Sequence, residues 1–339
     1  MSHNPEATKV EEYAAFDVLR FVLASAVMLS HIGVLRWGQT GNLAVQVFFA
    51  LSGWLIGGIL YRTSAVELSR FYFNRATRIW IPYFVCVAIL YGVSLWHEPR
   101  GPRWGEFLTY DLTFTHNWFA LSPNAQTALQ QMPLQGTGNH FWSLAVEEQF
   151  YLAAPLIITL LPFGRAILPW VLLAIAAYLT HSQYAAIAVG VLAAVIAGHS
   201  PRWHLKRTLP IAALAVAAAL SLPFFYGWGA PFFAVSVVLL CARPLERNAV
   251  TRWVGGISFP FYLNAWIGIF VFHALEKHGL AGYWPLEYMI GIAGAAVLYH
   301  LVDVPVMAYR NGYYRPALGW AMGITGYVLV LTGLAYWLS

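Results

Sequence analysis

The chain reads as an all-α polytopic membrane protein with about ten to eleven transmembrane helices. Three observations lead there. Of its 339 residues, 60% are hydrophobic and only 10% are charged, too few charges to cover a water-facing surface. Mean hydropathy is +0.61. The apolar residues gather into runs close to the roughly 20 residues a helix needs to cross hydrocarbon. Arginines, finally, collect on alternate connections between those runs.

In chain order the runs lie near 15–36, 43–61, 79–96, 141–161, 166–181, 183–198, 209–226, 230–242, 255–273, 285–308 and 317–338. Ten spans with one re-entrant segment would fit the same pattern. The first run follows Met1 to Glu12, a polar stretch with three glutamates that does not resemble a cleaved signal peptide. The second holds Gly53 and Gly57 and the last holds Gly319 and Gly323, two small-xxx-small faces suited to close helix packing. No internal repeat or low-complexity tract interrupts the series, so residues 1–339 are expected to form one membrane-embedded domain with no appended soluble domain.

Charge orients the series. With a cytoplasmic N-terminus, one face receives Arg62, Arg70, Arg75 and Arg78, then Arg165, then Arg202, Lys206 and Arg207, then Arg243, Arg247 and Arg252, then Arg310 and Arg315. The other face receives Arg36, Arg100, Arg103 and Lys277. One missed helix would scramble that asymmetry. The net charge of +5 therefore reflects topology, and no groove-reading motif points to nucleic acid. Cys86 and Cys241 fall inside apolar runs and read as small buried side chains, not a disulfide.

Ionisable residues inside such runs mark function by default, because hydrocarbon penalises an unpartnered charge by several kcal/mol. Glu147 and Glu148 sit just inside the fourth run, in Phe141-Trp142-Ser143-Leu144-Ala145-Val146-Glu147-Glu148-Gln149-Phe150-Tyr151. Arg20 and His31 are eleven positions apart on the first, a spacing that returns to nearly the same helix face. His31 near the outer end of the first helix and Glu147 near the outer end of the fourth suggest comparable depth. A His–Glu pair there would form a base with its orienting carboxylate. Arg75 and Arg78, one turn apart, can grip phosphates with forked hydrogen bonds or can be stop-transfer arginines. The long connection from His97 to His140 carries Trp104, Trp118 and Phe119 beside Asn117, Asn124, Gln126 and Gln130. These side chains would suit a carbohydrate, or an interfacial aromatic belt.

The segment Trp-Ser-Leu-x-x-Glu-x-Gln-Phe-Tyr at 142–151 resembles the most recognisable motif of the acyltransferase-3 family, membrane enzymes that O-acylate cell-surface sugars and some smaller molecules. Five further segments fit in order. Arg20-x10-His31 resembles the family's first-helix pattern. Val45-Gln46-Val47-Phe48-Phe49-Ala50-Leu51-Ser52-Gly53 has Gln46 in place of the customary acid. The arginine-rich stretch ending at Pro82 has Asn74 where a further basic residue is often found. The late segments Trp253 to Trp266 and Val302-Asp303-Val304-Pro305 complete the set, with Ala265 where relatives frequently have histidine and Asp303 for Glu.

The resemblance implies an acyl-CoA-dependent O-acyltransferase in the bacterial cytoplasmic (inner) membrane. The donor, most simply acetyl-CoA, would lie against Arg75 and Arg78. The acceptor would be a carbohydrate or other hydroxyl compound. His31 would act as base, with Glu147 orienting it and Arg20 lining the donor path or stabilising the thioester oxygen, by direct transfer or through an acyl-His31 relay. Trp142, Ser143, Glu148 and Asn264 would meet substrate, and no metal is expected. Two rivals remain: a proton-coupled transporter, whose relay would use the same residue types, and a catalytically weakened acyl-CoA- or glycan-binding accessory protein.

Overall fold

In the computed structural model, residues 13–97, 100–119, 131–276, 279 and 283–339 are described. Met1 to Glu12, Asn124, Gln126, Gln130 and Lys277, which carried several of the expectations above, lie outside them.

The described residues fold into helices joined by turns. In order they are α1 (Ala14–His31), α2 (Thr40–Arg62), α3 (Leu68–His97), α4 (Trp104–Leu112), α5 (His116–Phe119), α6 (Pro133–Gly136), α7 (Phe141–Ala154), α8 (Ile167–Leu179), α9 (Ala185–His199), α10 (Thr208–Cys241), α11 (Ala249–Glu276), α12 (Trp284–Leu298), α13 (Val304–Tyr313) and α14 (Pro316–Leu338). Local chemistry sets several boundaries. The 3₁₀ turn Ala65–Glu67 before α3 is held by a capping box between Ser64 and Glu67. Pro316 opens α14, where its missing N–H costs nothing. Pro155 and Pro305 lie at or beside two π-helical turns, Pro155–Leu160 and Tyr299–Asp303. A proline cannot continue the i→i−4 ladder, and the wider turn absorbs the break.

Eight of the described helices are long and apolar enough to cross a membrane, and α8 and α9 are shorter apolar helices. The runs expected at 209–226 and 230–242 appear as the single element α10, but a straight helix of 34 residues would hold its ends about 50 Å apart. Its ends meet instead. Arg243 Nη2 lies 3.5 Å from Thr208 Oγ1, and His204 Nε2 lies 2.8 Å from the Ala242 carbonyl. The chain reverses at Phe225, where φ −138° and ψ 54° leave the helical region. Among the described residues there are thus eight helices long enough to cross a membrane, one of them reversing midway, and two shorter apolar helices beside them.

Contacts at the two ends verify the alternation. At the arginine-rich end, Ala14 donates to the Leu245 carbonyl, Arg165 to the Thr63 carbonyl at 2.7 Å, and Arg70 to Asn311 Oδ1 at 2.7 Å. At the opposite end, Trp37 meets Tyr226, His181 meets Trp228, and Tyr110 meets Tyr336. The connection rich in aromatics is pinned there. Gln149 donates to the Phe114 carbonyl and Asn117 Oδ1, and Tyr184 donates to Gln149. Asn117 and Phe119 are buried, so these two side chains pack inside the protein and not on a sugar or a lipid headgroup.

Helix α2 runs through the centre, against α1, α7, α9 and α10. Its crossing with α9 is backbone on backbone: a Cβ at Gly53 would collide with the Ile187 carbonyl, and one at Gly190 with the Ala50 carbonyl. The Gly319 face of α14 meets the Ser69 carbonyl of α3 in the same manner. Close approach of these helices leaves the space beside them, between α1, α2, α3, α7 and α11, to a cavity.

Candidate active site

That cavity has a volume of about 220 Å³. Helix α7 gives it one stripe at four-residue spacing, Ser143, Glu147 and Tyr151, while α1 gives Arg20, α2 gives Ser52, α3 gives Arg75 and Arg78, and α11 gives Tyr262. The i, i+4 spacing puts the three α7 side chains one above the other.

Glu147 is the only carboxylate among the described lining residues, and it is firmly held. Ser52 Oγ donates to its Oε1 at 2.5 Å and the Tyr151 hydroxyl donates to its Oε2 at 3.0 Å, with the two hydroxyls 3.2 Å apart. The charges of Arg20 and Arg75 bear on it. One carboxylate beside three guanidinium groups leaves the cavity cationic, a setting that receives an anionic or strongly polarised ligand. At its far end the Ser143 and Tyr262 hydroxyls meet at 2.5 Å, and Tyr262 also donates to the His140 carbonyl at 3.3 Å.

Five of the nine residues singled out in the sequence therefore share this cavity: Arg20, Arg75, Arg78, Ser143 and Glu147. Glu148 faces the other way. It is buried, accepts from Trp80 Nε1 at 2.9 Å through one oxygen, and has no hydrogen-bond partner on the other. Trp142 stands edge-on to Phe49, and Asn264 donates to the Pro260 carbonyl at 3.0 Å.

No hydrogen bond joins His31 to Glu147, and His31 does not line the cavity. Counting rise explains the separation. Ser30 lies against Gly41, and Ser52, the partner of Glu147, stands eleven residues further along α2, about 16 Å. The shared depth expected from the sequence is thus offset by about three helical turns. His31 instead ends α1 as an exposed residue whose charge bears on His140. His140 is itself fixed, with Nε2 3.1 Å from the Leu263 carbonyl.

Ser52, Tyr151 and Tyr262 were not singled out in the sequence. Tyr151 carried a usable signal, its four-residue spacing from Glu147, and Ser52 lay in a quoted motif. Tyr262 also lay in a quoted segment, Trp253 to Trp266, but its approach to Ser143 joins residues 119 positions apart and no local pattern shows it.

A second cavity of about 560 Å³ opens at the arginine-rich end and shares Arg20, Arg78, Leu55 and Ile59 with the first. Among the described residues no group of three or more His, Cys, Asp or Glu is placed to hold a metal.

Comparison with known proteins agrees with this picture. The profile of the acyltransferase-3 family, an acyltransferase domain, matches residues 13–304. The O-acetyltransferase OatA of Staphylococcus aureus is 33% identical over 156 residues, 43% of this chain and 24% of that protein. The peptidoglycan O-acetyltransferase OatA of Listeria monocytogenes is 28% identical over 151 residues, 42% of this chain and 23% of that protein. The matched stretch is thus about a quarter of the length of these relatives. No solved structure matches the chain.

Proposed function

The chain belongs to the acyltransferase-3 family, and from that premise we propose that it is a membrane O-acyltransferase that moves an acyl group from an acyl-CoA to a hydroxyl of a sugar or cell-surface glycan precursor. Acetyl is the acyl group of choice, since the relatives just described carry O-acetyltransferase in their names. The observation that carries the reading is the cationic cavity in which Arg20, Arg75, Arg78 and the clamped Glu147 converge.

The donor approaches from the arginine-rich end, which is the cytoplasmic one by the positive-inside rule. Arg75 and Arg78 hold its charged part, and its thioester arm extends along the cavity toward Ser143 and Tyr262. Arg20 lines the donor path, and Glu147 with its two hydroxyl partners keeps Arg20 and Arg75 oriented. The acceptor arrives from the opposite end, where His31 takes the proton of the attacking hydroxyl. Thiolate leaves on the donor side and the ester leaves on the other.

The test uses the purified protein in liposomes, with acetyl-CoA inside and a candidate glycan outside. Coenzyme A thiol released only when glycan is present, with acetyl found on the glycan, supports the reading. Proton flux without thiol release would put a transporter in its place, and acetyl-CoA binding with neither would leave an accessory binding protein.

A further inference from the structure

Two hydroxyl groups meet at the far end of the narrower cavity, and they are less fully committed than the groups around Glu147. Ser143 Oγ and Tyr262 Oη lie 2.5 Å apart, and the His140 carbonyl stands 3.1 Å from the first and 3.3 Å from the second. Two hydroxyl protons thus serve one carbonyl oxygen and the contact between the hydroxyls themselves. The proton that bridges the pair can turn to an oxygen entering the cavity while the other keeps the backbone carbonyl satisfied. Ser258, a turn before Tyr262 on α11, has no such proton to offer, because its hydroxyl donates to the Gly255 carbonyl at 2.7 Å. The surroundings of the pair are apolar: on the outer side of Ser52 and Glu147, the other α2 and α7 residues in the wall are Val45, Phe48, Phe49, Leu51 and Leu144. A donor in that setting acts in a low dielectric, where it is worth more than in water.

We propose that Tyr262, backed by Ser143, is the oxyanion donor of the acyl transfer: its hydroxyl bonds the carbonyl oxygen of the bound thioester and stabilises the negative charge that develops there. The assignment rests on the acyl-CoA reading above. In the step, the acceptor oxygen bonds to the thioester carbon as its proton passes to the base. The carbonyl electron pair moves onto the oxygen held by Tyr262, and its return expels the thiolate. Neither hydroxyl gains or loses a proton overall. Position supports the role, since Ser143 stands one turn further than Glu147 from the arginine-rich end of α7, beyond the reach of the guanidinium groups that bear on Glu147. A carbonyl presented there meets hydroxyls already anchored to the His140 backbone, and fixed donors of this kind stabilise a developing oxyanion without reorganising. The anchoring is unequal. Ser143 is the nearer of the two to the His140 carbonyl and keeps it satisfied, which leaves Tyr262 to turn to the ligand.

The experiment follows acetyl transfer by the full protein in liposomes, comparing the parent with Tyr262→Phe and Ser143→Ala. Tyr262→Phe keeps the ring that stands edge-on to Phe48 and His140, so it is compatible with the fold. It should lower kcat by about 10² to 10³-fold, the scale of a lost oxyanion donor, with KM for acetyl-CoA unchanged. Ser143→Ala should cost less, because the Tyr262 proton remains, and the double variant should be little worse than Tyr262→Phe. Two donor analogues supply a readout that packing alone would not move. One is a trifluoroketone analogue of acetyl-CoA, whose hydrate resembles the tetrahedral intermediate, and the other is S-ethyl-coenzyme A, which has no carbonyl oxygen. Tyr262→Phe should lose roughly a hundredfold in affinity for the first and nothing for the second. Full activity in Tyr262→Phe, or equal losses for both analogues, would overturn the proposal, and so would a Ser143→Ala protein more damaged than Tyr262→Phe. Acetyl attached covalently to Tyr262 or Ser143 after the parent protein meets acetyl-CoA without acceptor would also overturn it, since the pair would then carry the acyl group. A parent protein that binds neither analogue and releases no thiol would remove the acyl-CoA reading as well.

Discussion

Ser52 and Glu147, ninety-five positions apart, are joined by a 2.5 Å hydrogen bond across the centre of the helix bundle. The contact ties α2 to α7 at the level where three arginines enter the cavity. It gives a half-buried carboxylate the hydroxyl partners that hydrocarbon would deny it.

Removing that hydroxyl leaves Glu147 with Tyr151 alone. Ser52→Ala should therefore lower the stability of the folded protein by up to about 1.5–3 kcal/mol, the range for a hydrogen bond to a charged group. Thermal unfolding in detergent measures it. A midpoint equal to that of the parent protein would show that Glu147 is satisfied without Ser52.

His31 and Glu147 occupy different levels, and their substitutions should behave accordingly. His31→Ala should reduce acyl transfer by about 10² to 10⁴-fold while the protein still inserts, the usual scale for losing a general base. Glu147→Gln keeps the shape but removes the charge beside Arg20 and Arg75, and should also be damaging. Because nothing joins the two side chains, the double variant should show roughly the product of the single losses. A double variant no worse than the worse single one would mean that the residues work as one unit.

The reversal at Phe225 is open to a covalent test. In a background without Cys86 and Cys241, cysteines at Thr208 and Arg243 should be joined by a short bifunctional thiol cross-linker, since the native Arg243 side chain spans the gap to Thr208. A straight α10 would hold them about 50 Å apart, and no cross-link would form.

Sidedness can be read with an impermeant thiol reagent. A single cysteine at Ser200, exposed at the arginine-rich end, should be shielded in intact cells, whereas one at Gly38, exposed at the opposite end, should react. Reaction at Ser200 together with protection at Gly38 would invert the orientation.

The spans were legible because each is a local property: twenty apolar residues announce a helix whatever surrounds them. Even the two halves of α10 were visible as separate runs at 209–226 and 230–242. Glu147 and Arg20 were legible for a related reason, as charges in hydrocarbon are costly wherever they occur, and Arg75 and Arg78 by their one-turn spacing beside the third run. What escaped depended on neighbours distant in sequence. The depth of His31 against Glu147 could be judged only once Ser52 fixed how far α7 slides along α2. Arg62, Arg202 and Arg247 looked like orientation signals because their convergence on the wider cavity joins three connections that no local pattern links. Asn117 and Phe119 read as exposed contacts until Gln149 and Tyr184 were seen to bury their segment.

Arg20, Arg62, Arg78, Arg202 and Arg247 line a single cavity with Asp17 paired to Arg20 and Arg247, and one carboxylate offsets only part of the thermodynamic penalty of gathering them. Like charges held close, partly out of water, repel, so the empty fold gives up some stability that neutral side chains would have kept. Such a protein is poised to be strengthened by its own ligand. An anion present at a hundred times its dissociation constant adds about 2.7 kcal/mol to the folded state. Melting temperature should therefore climb with donor concentration, making heat resistance itself a gauge of how full the cavity is.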